Sequence, residues 1–142
     1  MAIVMIESDE QIRSTYFLMK QLRPHLEEAT YVSRVKEQQS SYGYKLIALM
    51  DDEGIARAAA GYRICESLAW GRHVYVDDLI TDEATRSRGY AKQLFDWLEE
   101  ETSKQQCTAL HLDSGYQRHD AHRFYLNCGM RIICHHFEKM YK

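Results

Sequence analysis

The chain has 142 residues, 45% of them hydrophobic and 27% charged, with a net charge of -3 and four cysteines. Such a composition fits one soluble globular domain with a sizeable core, and its balanced charge argues against nucleic acid or a membrane surface as the main partner. No apolar run approaches the roughly 20 residues that span a bilayer. The first residues also lack the basic start and small-residue cleavage site of a signal peptide, so a cytoplasmic location is expected.

Taken in chain order, residues 2–6 are a short apolar run that predicts a first strand. Ser8 or Asp9 can cap a helix, and Ile12, Tyr16, Met19 and Leu22 then repeat at helical spacing. Pro24 marks a break, and residues 26–39 predict a further helix. Residues 44–50 read as a strand, 51–54 as a hairpin turn ending in Gly54, and 55–65 as the returning strand. Another turn at 68–72 leads to a strand over 73–81. Residues 89–106 carry the clearest amphipathic helix, with Ala91, Leu94, Phe95, Leu98 and Thr102 along one face. A strand over 108–113, a loop, and a short helix over 120–127 follow, the helix closed by Gly129. Residues 130–134 and 135–140 read as a closing pair of strands. The early strands are joined by hairpins, whereas the later strand–helix–strand unit favours parallel pairing. The expected fold is therefore α/β (α+β), a mixed and mostly antiparallel sheet with helices on both faces, in a single domain over residues 1–142.

Cys65, Cys107, Cys128 and Cys134 form no Cys-x-x-Cys pair and match no zinc spacing. Free thiols and no metal site are expected.

The strongest chemical signal lies between the strand over 73–81 and the amphipathic helix. There the chain reads Arg86, Ser87, Arg88, Gly89, Tyr90, Ala91, Lys92. A helix start offers N–H groups without intrahelical partners and a partial positive charge, both suited to a pyrophosphate. Gly89 lets the backbone approach the phosphates, Ala91 adds little bulk, and Arg86, Arg88 and Lys92 add local positive charge. Neither a Walker loop nor a dinucleotide fingerprint is present. Without further context the stretch also reads as a basic glycine turn ahead of a surface helix.

Val76, Asp77, Asp78, Leu79, Ile80 and Thr81, followed by Arg86-x-x-Gly89-x-Ala91, resemble the acetyl-CoA-binding motif of GNAT superfamily N-acetyltransferases. That family carries Gln or Arg, two residues, Gly, one residue, then Gly or Ala after such a strand. The segment from Ala121 through Phe124 and Tyr125 to Met130 resembles the family's second CoA-side element. The resemblance implies a sheet of six to seven strands flanked by about four helices, with strand four bulged and splayed from strand five. It assigns the pantetheine arm and thioester carbonyl to the backbone of Leu79, Ile80 and Thr81, and the pyrophosphate to the N–H groups from Arg86 to Lys92. Arg118 stands where many members place an asparagine touching the pantetheine; it either contacts CoA or points to solvent.

The implied reaction is attack of an amine on the thioester of acetyl-CoA. A lysine-type ammonium, with a pKa of about 10.4, must first lose a proton. Asp77 and Asp78 are the candidate general bases, expected on opposite faces of their strand. Glu66 and His111 are weaker candidates, and His73, His135 and His136 could line the acceptor side. The N–H of Leu79 or Ile80 would face the developing oxyanion. Tyr125 matches the position of the family's proton donor to the departing thiolate. The acceptor, a small-molecule or protein amine, is not readable; Glu27, Glu28, Asp77 and Asp78 suggest a cationic one. Members of the family are often dimers, which leaves a homodimer open. A non-catalytic CoA-binding sensor or subunit is the alternative reading.

Overall fold

The computed structural model describes all 142 residues. Strands β1 (Ala2–Met5), β2 (Lys45–Met50), β3 (Ala56–Ser67), β4 (Gly71–Thr81) and β5 (Ala109–Leu112) form one sheet in sequential order. The pairings of β1 with β2, β2 with β3 and β3 with β4 are antiparallel. The β2–β3 turn is held by Asp51, whose carboxylate accepts the N–H groups of Glu53 and Ile55 at 2.9 Å. Gly54 there has φ +79°, a left-handed conformation that glycine adopts without steric cost.

Five α-helices accompany the sheet: α1 (Asp9–Ser14), α2 (Tyr16–Leu22), α3 (Glu28–Ser41), α4 (Tyr90–Lys104) and α5 (His119–Asn127). Ser8 caps α1 through a reciprocal box with Gln11. The helical run from Ser8 to Leu22 is two helices rather than one, because Thr15 interrupts it. Its buried hydroxyl lies 2.7 Å from the Ile12 carbonyl and 2.7 Å from the Tyr31 hydroxyl. A threonine back-bonding to the preceding turn in this way bends a helix.

The chain divides into two compact units, Met1–His111 and Leu112–Lys142. In the first, the alternation of the strands splits the core between two faces. Leu46, Ala48, Ala59 and Ile80 pack with Ile12, Leu18, Met19, Tyr31 and Val35 of α1, α2 and α3. Each such aliphatic side chain, fully buried, contributes roughly 1.5–3 kcal/mol. On the opposite face lies α4, which buries Leu94, Phe95 and Leu98. Tyr62 marks that face: its hydroxyl donates to Glu101 Oε2 at 2.9 Å and its ring meets Trp97 edge-on at 5.8 Å.

The second unit holds α5 and residues 128–142. Gly129, with φ +89°, ends α5 as expected. Residues 130–142 contain no strand, so the sheet has five strands rather than six to seven, and the helices number five rather than about four. The expected closing strands were read from apolar content alone. Ile132 and Ile133 are adjacent and His135 and His136 follow, so no alternating face exists, and a strand without a neighbour leaves its backbone groups unmet. Ile132, Ile133, Phe137, Met140 and Tyr141 are all exposed. No helix is long and apolar enough to cross a membrane.

Candidate functional site

The β3–β4 register defines the first half of the site. Gly61 pairs with Asp78, whereas Tyr62 pairs with Val76, so Asp77 is an extra residue on β4. Such a bulge re-aims side chains locally. Gly61 and Arg63 share a face of β3, and their partners are Asp78 and Tyr75. Asp77 and Asp78 therefore look to one face of the sheet, not to the opposite faces that simple alternation predicts. The correction follows from the bulge, which inserts one residue into a period of two.

Each carboxylate has its own arginine. Asp77 takes a two-pronged contact from Arg63, with Nε and Nη2 both at 2.9 Å. That carboxylate holds the Arg63 guanidinium above its ordinary pKa, against the opposing effect of burial. Asp78 accepts from Arg23 Nε at 3.1 Å and from the Tyr44 hydroxyl at 2.8 Å. Arg23 also donates to the Asp77 carbonyl at 2.9 Å, tying the loop after α2 to the bulge. Burial pushes the Tyr44 hydroxyl well above the usual tyrosine range, and the Asp78 charge adds to this. Just past the bulge, Leu79 and Thr81 are half-buried and Ile80 is buried against the helices. On the other side of the bulge, toward the β3–β4 turn, lies an open cavity of about 570 Å³ with Asp77, Arg63 and His73 in its wall.

The second half is the loop from β4 into α4. Asp82 anchors it: the buried carboxylate accepts from Gln21 at 3.2 Å, from Arg57 at 3.3 Å and from the N–H of Ala84 at 3.3 Å. A 3-10 turn over Glu83–Thr85 follows. Arg86 then has φ -62°, while Ser87 has φ +67°. Ser87 is a non-glycine residue in the left-handed region, a strain of about 1–3 kcal/mol that the surroundings must hold. Gly89 occupies the same region, with φ +79° and open space where a Cβ would stand. It is the N-cap of α4, and no side chain caps that helix; the first helical bond runs from the Gln93 N–H to the Gly89 carbonyl at 3.1 Å. Arg86, Ser87 and Arg88 are exposed, and Tyr90 and Ala91 are half-buried. Lys92 forms an ion pair with Asp96, so its charge is shared.

In the second unit, Tyr125 is half-buried on α5. Burial raises its hydroxyl above the usual tyrosine range, against the lowering effect of Arg118. It is thus a protonated donor at neutral pH. Arg118 is exposed at the N-cap of α5 and makes no side-chain cap. Ser114 Oγ is buried and has no protein hydrogen-bond partner.

The bulged strand and the uncapped, left-handed turn into α4 follow one another in the order of the sequence motif. The sequence model of the Acetyltransferase (GNAT) family matches residues 10–130. The chain belongs to this acetyltransferase family. Its members use acetyl-CoA as acetyl donor, and the chain is an acyltransferase. An uncharacterized N-acetyltransferase, YhdJ of Bacillus subtilis (strain 168), is 35% identical over 135 residues, covering 94% of each chain. The fold matches that of the aminoglycoside N-acetyltransferase AAC(6')-Iy in complex with CoA, with TM-score 0.81, 17% identity, and coverage of 99% of this chain and 95% of that one. It also matches glucosamine-6-phosphate N-acetyltransferase from Arabidopsis thaliana, with TM-score 0.79, 19% identity, and coverage of 99% and 98%.

The other histidines divide by surroundings. His73 is buried, its Nδ1 2.9 Å from the Gly71 carbonyl oxygen. His111 stacks on Trp70, and His136 lies 3.3 Å from Asp113. Glu66 is exposed and pairs across the strands with Arg72. No cysteine is fully buried, and Cys134 is exposed. Sequence reasoning missed Arg23, Tyr44, Gly61 and Arg63. The one signal that pointed to them was Gly61, a glycine inside a strand, where close approach of another group is the usual cause. A Cβ there would lie 2.0 Å from the Tyr44 hydroxyl.

Proposed function

We propose that this acetyltransferase moves an acetyl group from acetyl-CoA to a primary amine by direct attack, with donor and acceptor bound together. The observation that carries the reading is the uncapped, left-handed entry into α4, from Arg86 to Lys92. A helix start with no side-chain cap and an open glycine at its N-cap has room and backbone donors for a pyrophosphate. Arg86 and Arg88 add charge beside it. We assign Arg118 to the donor as well.

Acetyl-CoA supplies the electrophilic thioester carbonyl. The chain's own residues do the rest. Backbone groups of Leu79, Ile80 and Thr81, past the bulge, hold the pantetheine arm, and the N–H of Leu79 or Ile80 donates to the carbonyl oxygen as negative charge builds there. Asp77 or Asp78 takes the proton that the ammonium must lose before it attacks. Tyr125 gives its proton to the departing sulfur. The two arginines orient both carboxylates through charge-assisted hydrogen bonds.

The test is release of free CoA thiol on adding amines to the purified protein with acetyl-CoA. Amine-dependent release supports the reading. Stabilisation by acetyl-CoA with no release from any amine would instead describe a CoA-binding sensor.

A further inference from the structure

The cavity beside the Asp77 bulge has a second feature that acetyl transfer by itself does not explain. Trp70, in the β3–β4 turn, is in its wall. Its backbone N–H donates to Ser67 Oγ at 3.0 Å. Its ring stacks on His111 at 4.0 Å with 14° between planes, and meets His73 edge-on at 5.4 Å. Yet 40% of the residue remains exposed. A large aromatic held by two neighbouring rings, and still open to a cavity, is a preformed flat surface that costs little further ordering when a ligand stacks on it.

The charges narrow the ligand further. The wall holds one arginine, Arg63, against two carboxylates, Glu66 and Asp77. Asp77 is already matched by Arg63, and Asp78 nearby is matched by Arg23. A polycation needs several uncommitted carboxylates, and this cavity does not offer them. One surplus negative charge suits one ammonium. The volume lies within the usual range for small-molecule sites, and admits a ring on Trp70 with a short-chain amine beside the carboxylates of the wall.

We infer that this cavity is the acceptor pocket and takes a single primary amine carried on a flat aromatic body, seated on Trp70. The inference rests on the acetyl-transfer reading above for the identity of the reacting end, but the pocket and its occupant are tested separately. The probe is 2-phenylethylamine, with spermidine as the polycationic comparator. Each is titrated calorimetrically into the full chain, the wild type and the Trp70→Ala and Trp70→Phe variants. Melting by circular dichroism, with and without acetyl-CoA, runs alongside.

The wild type binds 2-phenylethylamine about tenfold or more tightly than spermidine. Trp70→Ala weakens that binding by about tenfold, and Trp70→Phe recovers it to within about threefold, because a flat ring is restored. Both variants keep the wild-type melting behaviour. Spermidine binding as tightly, Trp70→Ala binding unchanged, or no heat of binding from 2-phenylethylamine each overturns the pocket assignment. Acetyl-CoA stabilisation reports on the other reading: if it persists while the aromatic amine fails, only the pocket is wrong. If acetyl-CoA stabilises nothing, the donor reading has failed whatever the amine does.

Discussion

The Tyr44 hydroxyl donates to Asp78 at 2.8 Å from a position that a Cβ on residue 61 would fill. Glycine at 61 and tyrosine at 44 are therefore one design, and Asp78 takes its orientation from both. Gly61→Ala must displace the Tyr44 ring. It destabilises the protein by about 1–3 kcal/mol, as overpacking does, and lowers kcat by freeing Asp78. Urea unfolding and CoA release check this; an unchanged midpoint with unchanged turnover contradicts it.

Gly89→Ala isolates the backbone. Nothing lies within 4 Å of the added Cβ, so no side chain is disturbed. The cost is that of holding a non-glycine residue at φ +79°, about 1–2 kcal/mol. The dissociation constant for acetyl-CoA rises by about tenfold in calorimetry. Gly89→Asn loses less, since asparagine tolerates this region better than other residues. Equal losses for the two variants would mean that backbone conformation is not what matters there.

Tyr125→Phe removes the hydroxyl and keeps the ring. As the proton donor, its loss lowers kcat by roughly 10²–10⁴-fold while acetyl-CoA affinity stays unchanged. A variant with full turnover excludes Tyr125 from proton transfer.

Much of this was legible in the sequence, for a physical reason. The Arg86 to Ala91 loop and α4 depend on local chemistry: a glycine at the N-cap and an apolar stripe at helical spacing. Gly129 and the hairpin turn at Gly54 are local in the same sense. The resemblance implies a bulge on this strand, but its effect on the two carboxylates was not legible, because register is decided by the partner strand, and one inserted residue moves Asp78 onto the face of Asp77. The arginine partners were hidden for a similar reason. Arg23 reaches Asp78 across 55 residues of chain, a distance no spacing rule covers. The closing strands failed because apolar content was read without the alternation that a half-buried strand needs.

High pH is predicted to destabilise the fold. Burial pushes the Tyr31 hydroxyl up to about 12, whereas an unfolded tyrosine titrates near 10. Above pH 10 the unfolded chain binds fewer protons than the native one, so stability falls as pH rises and goes on falling through about 12. This group's contribution is roughly 2–3 kcal/mol, complete below pH 10. Tyr44 and Tyr62 are raised in the same direction. Tm measured from pH 8 to 12 should drop, and less steeply in Tyr31→Phe. A parallel drop in the variant would remove Tyr31 from the account.

The central claim is that the turn from Arg86 to Lys92 holds the pyrophosphate of acetyl-CoA. It is tested most directly by comparing acetyl-CoA with S-acetylpantetheine, which carries the same thioester and arm but no pyrophosphate. Thermal unfolding of the intact protein is followed with each at equal concentration. The account predicts a clear rise in Tm with acetyl-CoA and little or none with S-acetylpantetheine. Equal shifts from the two, or no shift from acetyl-CoA, would contradict it.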